Sequence, residues 1–519
     1  MAQAQGKPST YGYLSPEERQ QKWATEEQKV EDAIWGVVPG YDLIPEVDVP
    51  MFHSWFCDAQ HSTPPLTPLG AAEYIRHCFA GTQWMHSALS TPNIYGWVSR
   101  YKDGAAYISF LIVRDEEEKK RRGAKFKEAM RPYLEDFKGI WERDKKKLTD
   151  MYDKLMEFDP QSATPLDFQN YIWELDRAYH EMWILHFLDL QASNQAWTLL
   201  EEECKKRFGM NDQSAEFQDM FRGFDNEIYK VDKEQWYLGK QAVEMGLGDV
   251  FQENEPENTL PKLEQDARGK EWIKKFRDFL QARGLRLSSF MDFTAPSWQE
   301  EPSVPLRTIR NFILSGEAKD SEYILDTKRK ELSPKRDIAV KRVLDKVPGE
   351  EREYFKSLIT LGQHISSYSE EHDLFCELTI HAIMRRGFMA MGQKLYEGGT
   401  IDRPDDVLMM NPFEIECAML LPHLHDMRWL TRKRRAQWEG YIRRFETEGE
   451  FRPPVITDRP GGMEEAMGMD LMPSLDPLCT KLAIGELPTP RPELKADIFG
   501  LCGGPGEAEG IPRVLFRTE

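Results

Sequence analysis

Histidines and their neighbours carry most of the chemistry this sequence could perform, because imidazole titrates near neutral pH and can take a proton there. Three clusters stand out. The first is Phe52, His53, Trp55 and His61, two histidines eight residues apart among aromatics, with Trp97 in the same aromatic-rich stretch. It reads either as the wall of an aromatic pocket with one histidine as base, or as a loop packed on the core with satisfied histidines. The second is the run from Tyr179 to Phe187, where Trp183 and His186 share an apolar face with Tyr179. His180 and His186 are six residues apart. On a helix they point to different sides and cannot make the i, i+4 pair of an H-E-x-x-H zinc site. His186 is then a core histidine or a pocket residue. The third is Asp373, Glu377, His381 and Arg385, recurring every four residues between apolar neighbours, with His372 about a quarter-turn away. This stripe is either the floor of a cavity, where Arg385 could grip an oxyanion with two hydrogen bonds, or a solvated face held by i, i+4 ion pairs.

Helices must position these groups. The spacing of Phe126, Met130, Tyr133, Phe137 and Ile140 predicts a long amphipathic helix over 115–158. Thr164, Pro165 and Asp167 form a helix start, and Phe168, Tyr171, Leu175, Tyr179 and Met182 continue one apolar face. More helix is expected to about Gly246, then an acidic loop over 248–262, then a helix closed by Gly284. One very long helix, or two in line, is expected over 350–396, and a basic helix over 427–445. Residues 105–113 read as a strand after a turn at Asp103 and Gly104. The chain is thus expected to be mainly α, in four parts: an N-terminal arm (1–50), a mixed α/β entry segment (51–114), a helical domain (115–446), and a proline-rich linker and tail (447–519).

With 519 residues, 40% hydrophobic, the chain can bury a sizeable core. The formal net charge of -20 argues against nucleic acid and anionic membrane as partners. No apolar run approaches the roughly 18 residues of a membrane span, and the N-terminus has no apolar signal core. Seven dispersed cysteines without a C-x-x-C pair suggest reduced thiols and a cytoplasmic setting.

Pro64 to Leu69, Pro296 to Ser303, Gly392 to Val407 and Gly500 to Val514, in that order, resemble segments of phosphoenolpyruvate-utilising enzymes of the rifampin phosphotransferase and phosphoenolpyruvate synthase kind. Pro64 to Leu69 is similar to their P-x-T-P-L entry, and Tyr95 to Tyr107 to the strand after it. Pro296 to Ser303 with Leu306 to Arg310 resembles P-x-W-R-E-D-P-x…I-R, with Gln299 and Glu301 replacing the usual Arg and Asp. Gly392, Leu395, Gly399, Ile401, Asp406 and Val407 resemble G-x-x-L-x-x-x-G-x-I…D-V. Gly500 to Val514 looks like the opening of the swivelling phosphohistidine domain. The resemblance implies the substrate-binding region of a phosphotransferase, with neither an ATP-grasp pattern nor the phosphocarrier histidine visible. A partner subunit would then supply both, along with ATP and Mg2+, leaving no cofactor or metal on this chain. Phenylphosphate synthase-like systems are the nearest functional analogues, so the implied acceptor is a small phenol, phosphorylated ahead of carboxylation. His53, His61, His381 and Arg385 would act on the reacting groups, and Phe52, Trp55, Trp97, Trp183, His186, His372 and Glu377 would line the pocket. A non-catalytic scaffold, or a subunit for a non-aromatic acceptor, is the alternative.

Overall fold

Thr67 shows how local chemistry sets the first helix: its Oγ1 accepts from the Gly70 amide at 3.1 Å and Pro68 opens the first turn. The T-P-L of the entry segment is therefore a helix start. The computed structural model describes residues 54–57, 65–102, 104–210, 214–288, 293–447 and 456–457. Phe52, His53, His61, Asp103 and the expected arm and tail lie outside them. In order, the elements are β1 (Ser54–Cys57), α1 (Pro68–Ala88), β2 (Ile94–Lys102), β3 (Ala105–Ile112), α2 (Glu116–Met156), α3 (Pro165–Phe208) and α4 (Ala215–Asp219). There follow α5 (Glu227–Glu244), α6 (Gly248–Glu253), α7 (Pro256–Leu263), α8 (Ala267–Arg283), α9 (Ser303–Ser315) and α10 (Ile324–Lys346). Last come α11 (Arg352–His372), a π-helical turn (Asp373–Leu378), α12 (Thr379–Glu397), α13 (Pro412–Leu420), α14 (Arg428–Thr447) and β4 (Ile456–Thr457). The protein is mainly α.

The described residues divide between two compact units. One contains β1, β2 from Val98, β3, α14 from Gln437, and β4. Its antiparallel sheet places β1 between β3 and β4, with Phe56 opposite Ile108 and Trp55 opposite Ile456. The pairing at 456–457 lies in a stretch the sequence suggests is linker. Gly104, at φ 83°, makes the expected turn into β3.

The other unit, Thr67–Trp97 with Val113–Ala436, is helical apart from the start of β2. In α3 the Thr164–Asp167 capping box is formed as expected, and Gly209 at φ 66° ends the helix, so helix is not continuous to Gly246. The 115–158 helix is broken at Asp136, whose φ of -149° is non-helical and whose Oδ1 caps the second half by accepting from Gly139 N at 3.0 Å. Pro132 lacks the amide that would bind one turn back. The expected acidic loop at 248–262 is instead two short helices, the second opened by Pro256. Two apolar clusters hold the frame. Trp272, Phe276, Phe251 and Ile309 join α5 to α9, and Leu200, Phe217, Val343 and Phe355 join α3, α4, α10 and α11.

Candidate functional site

One face of α3 turns its polar groups away from water: Tyr179, His186 and Asp189 are buried, and the first two meet α12 and the π turn. His186 Nε2 lies 3.0 Å from Glu377 Oε1, both nearly fully buried. Tyr179 Oη meets His381 Nε2 at 2.8 Å, and His381 Nδ1 donates to the Glu377 carbonyl. That donation fixes the tautomer, so Nε2 accepts from the tyrosine. His372 stacks on Tyr368 at 5.2 Å and lies 5.3 Å from the His186 ring. Its Nδ1 donates to the Ser369 carbonyl at 2.6 Å. Trp183 packs edge-on to His186 at 5.1 Å and to Tyr179 at 5.9 Å. Five of the residues singled out in the sequence, Trp183, His186, His372, Glu377 and His381, therefore form one network.

The π turn shapes this network. Thr379 N donates to the Leu374 carbonyl five residues back, and Thr379 Oγ1 reinforces it at 2.8 Å. Such turns recur at functional sites. The polar stripe expected on a regular helix is consequently dealt into different environments. Asp373 is half-buried beside His372, at 3.2 Å. Glu377 and His381 are interior, which excludes the solvated-face alternative for them. Arg385 is held by Glu300 at 3.0 and 3.1 Å and by the Phe293 carbonyl at 2.5 Å. Those bonds occupy Nε and Nη1, so Arg385 ties the 293–300 segment to α12. Trp97 lies apart from the network's centre, edge-on to Phe187 at 5.6 Å. Trp55 is fully buried in β1 of the first unit.

Sequence reasoning missed two groups. Glu73 and His77, at i, i+4 on α1, meet Asp176 of α3: His77 Nε2 is 3.2 Å from Glu73 Oε2 and 3.4 Å from Asp176 Oδ1. Burial opposes charge on His77, but the hydrogen bonds to Asp176 and Glu73 outweigh it and hold its pKa above the usual value. Arg76 also pairs with Asp176. The i, i+4 spacing was a usable signal; Asp176, about 100 residues away, had none. The second is Asp189, wholly buried, with neither carboxylate oxygen hydrogen-bonded. Burial, then the neighbouring Asp144, push its pKa far above the carboxylate range. His180 faces away from His186 as expected, its ring 5.7 Å from His77.

An open cavity of about 710 Å³ lies elsewhere in the same unit, walled by Tyr229, Lys230, Trp236, Tyr237, Phe279 and Arg329. Among the described residues no histidine lines it. Its acids and bases pair: Lys233 with Asp326 at 2.7 Å, Lys230 with Glu227 at 2.6 Å, and Arg329 with Asp225 at 3.0 Å. The Lys230 ammonium, stabilised chiefly by Glu227, also feels Glu371, the residue before His372. No residue of the buried network lines the cavity.

Two comparisons support a central region like that of phosphoenolpyruvate-utilising enzymes. Residues 188–370 match the family described as rifampicin phosphotransferase fourth domain. The chain is also 25% identical over 248 residues to an "Uncharacterized phosphotransferase YvkC" of Bacillus subtilis (strain 168), covering 47% of this chain and 28% of that protein. The chain therefore spans well under a third of that relative. Every cavity-lining residue falls inside the matched stretch.

Proposed function

We propose that this chain is the acceptor-binding part of a phosphohistidine-dependent phosphotransferase and that the 710 Å³ cavity takes the acceptor, a small hydroxylated aromatic. The observation that carries this reading is the aromatic, partly cationic lining of a cavity lying wholly within the phosphotransferase-matched stretch. Tyr237 and Phe279 offer faces for a ring, while Lys230 and Arg329 would reach a phenolate or phosphoryl oxygen by sharing their charge with Glu227 and Asp225. A phenol with a pKa of about 10 needs a proton acceptor at neutral pH; the sequence's candidates, His53 and His61, lie outside the described residues. His381 and Arg385 act by positioning other groups. A partner carrying the ATP-grasp and phosphohistidine parts, with ATP and Mg2+, would complete the reaction in the cytoplasm. Among the described residues no helix is long and apolar enough to cross a membrane.

The test is calorimetric titration of the chain with a panel of phenols, then an assay with ATP and the copurified partner. Tyr237, 54% exposed, can be changed without touching the core. Tyr237→Ala should weaken phenol binding about tenfold, in line with a ring contact worth roughly 0.5–1.5 kcal/mol. Equal binding by the variant, or no phenol binding at all, overturns the aromatic acceptor. The scaffold reading draws support from the engagement of Arg385 by Glu300 and the burial of His186 and His381. It requires partner binding with no small-molecule binding.

A further inference from the structure

We propose that His186, His372 and Glu377 form a binding site for a divalent transition-metal ion of the zinc type. Neither the acceptor reading nor the sequence expectation of a metal-free chain includes it. One ligand atom from each residue lies within 4.8 Å of the others. A tetrahedral ion with bonds of about 2.1 Å sets its donors roughly 3.4 Å apart. His186 Nε2 and Glu377 Oε1, at 3.0 Å, lie a few tenths of an ångström inside that spacing. A His372 ring nitrogen lies within 4.8 Å of both, and its side chain is 12% exposed.

Two further features fit an ion. Donation from His372 Nδ1 to the Ser369 carbonyl leaves Nε2 as the ring's lone pair, the arrangement that backbone carbonyls commonly impose on ligating histidines. Asp189, one helical turn beyond His186, buries a carboxyl with no hydrogen-bond partner for either oxygen. A nearby dication would offset that acidic interior. Two imidazoles with one carboxylate suit Zn2+ and its neighbours rather than Mg2+ or Ca2+, which prefer all-oxygen shells. Three protein donors also leave a fourth position open, as in sites that bind an oxygen ligand. The comparable group Glu73, His77 and Asp176 is a poorer site, because the Arg76 guanidinium already pairs with Asp176 and reaches His77 Nε2 at 3.1 Å.

The experiment strips the full chain with a chelator, re-equilibrates it with Zn2+ or Co2+, and counts bound metal by elemental analysis. One ion per chain is expected, with visible d–d absorption for Co2+. Glu377→Gln keeps size and a hydrogen bond to His186, so it should fold. It and His372→Ala should each lower affinity by about 100-fold, at or beyond the upper end for outer-ligand losses. His77→Gln should leave stoichiometry unchanged. No stoichiometric ion in the wild-type chain overturns the site, as does retention of full affinity in both Glu377→Gln and His372→Ala. Because the readout is bound metal, failure here is separable from failure of phenol binding.

Discussion

His86 shows how far one interior residue can couple this fold to pH. Thr91 Oγ1 donates to the Ile94 carbonyl at 2.8 Å, so it must accept from His86 Nδ1 at 2.6 Å, which leaves Nε2 as the bare nitrogen. That nitrogen is buried without a hydrogen-bond partner, and Arg122 binds the His86 carbonyl at 2.8 Å. Burial, then the Arg122 charge, lower the pKa to about 3. A histidine whose pKa falls on folding gives up its proton. Its contribution is therefore whole above the unfolded value near 6.5 and is lost as pH falls toward about 3. Between pH 6.5 and 5 the wild type should lose about 1.5 kcal/mol more than His86→Leu. Urea midpoints at both pH values check this, and parallel profiles would refute it. Glu414 makes a second case: its carboxylate takes Arg434 Nη1 at 2.6 Å and Nη2 at 3.0 Å, and that arginine is 1% exposed. Glu414→Ala should destabilise by about 3–5 kcal/mol, since it strands a buried charge. A thermal melt within a degree of wild type would show the pair to be dispensable.

The elements explain why family-like motifs stand where they do. A Cβ on Gly392 of α12 would meet the Pro404 carbonyl oxygen at 2.0 Å and Val407 Cγ1 at 2.9 Å. The glycine lets α12 press on the 404–409 turn, where Asp406 caps Arg403 N at 3.1 Å and grips Arg435 at 2.7 Å. Leu395, Ile401 and Val407 are buried at the same junction. Gly392→Ala should cost roughly 1–3 kcal/mol through overpacking, while Gly349→Ala, with nothing within 4 Å, should be near neutral. Equal melting temperatures for the two variants would sink the close-packing account. Periodicity and caps made α2, α3, α8, α11, α12 and α14 legible, because each signal lies within one or two turns. The kink at Asp136 and the π turn were not legible, since both depend on competition among backbone bonds. Nor was the His186–Glu377 pair, whose partners lie 191 residues apart and meet only through packing. In the first half of the basic α14, Arg428, Arg432, Arg434 and Arg435 pair with Asp426, Asp402, Glu414 and Asp406, partners that the basic run itself did not announce.

At the scale of the molecule, a helical unit whose interior carries unusual acid is joined in one chain to a small sheet-containing unit. Buried carboxylates such as Asp189 lower stability, and a fold keeps such groups most readily where binding uses them. The run from α11 through the π turn to α12 has a consequence of a different kind. A regular helix cannot lose a residue without rotating everything beyond it by about 100°. A π turn already holds one surplus residue, so removing Phe375 should let the backbone relax to continuous α-helix with Tyr368 and Gly392 still facing their neighbours. The shortened chain should melt close to wild type by circular dichroism yet lose the His186–Glu377 contact, seen as a changed histidine ring resonance. Global unfolding of that deletion would refute the idea. On this view the turn is an insertion scar: a place where the length of a buried helix can drift by one while the frame around it stays in phase.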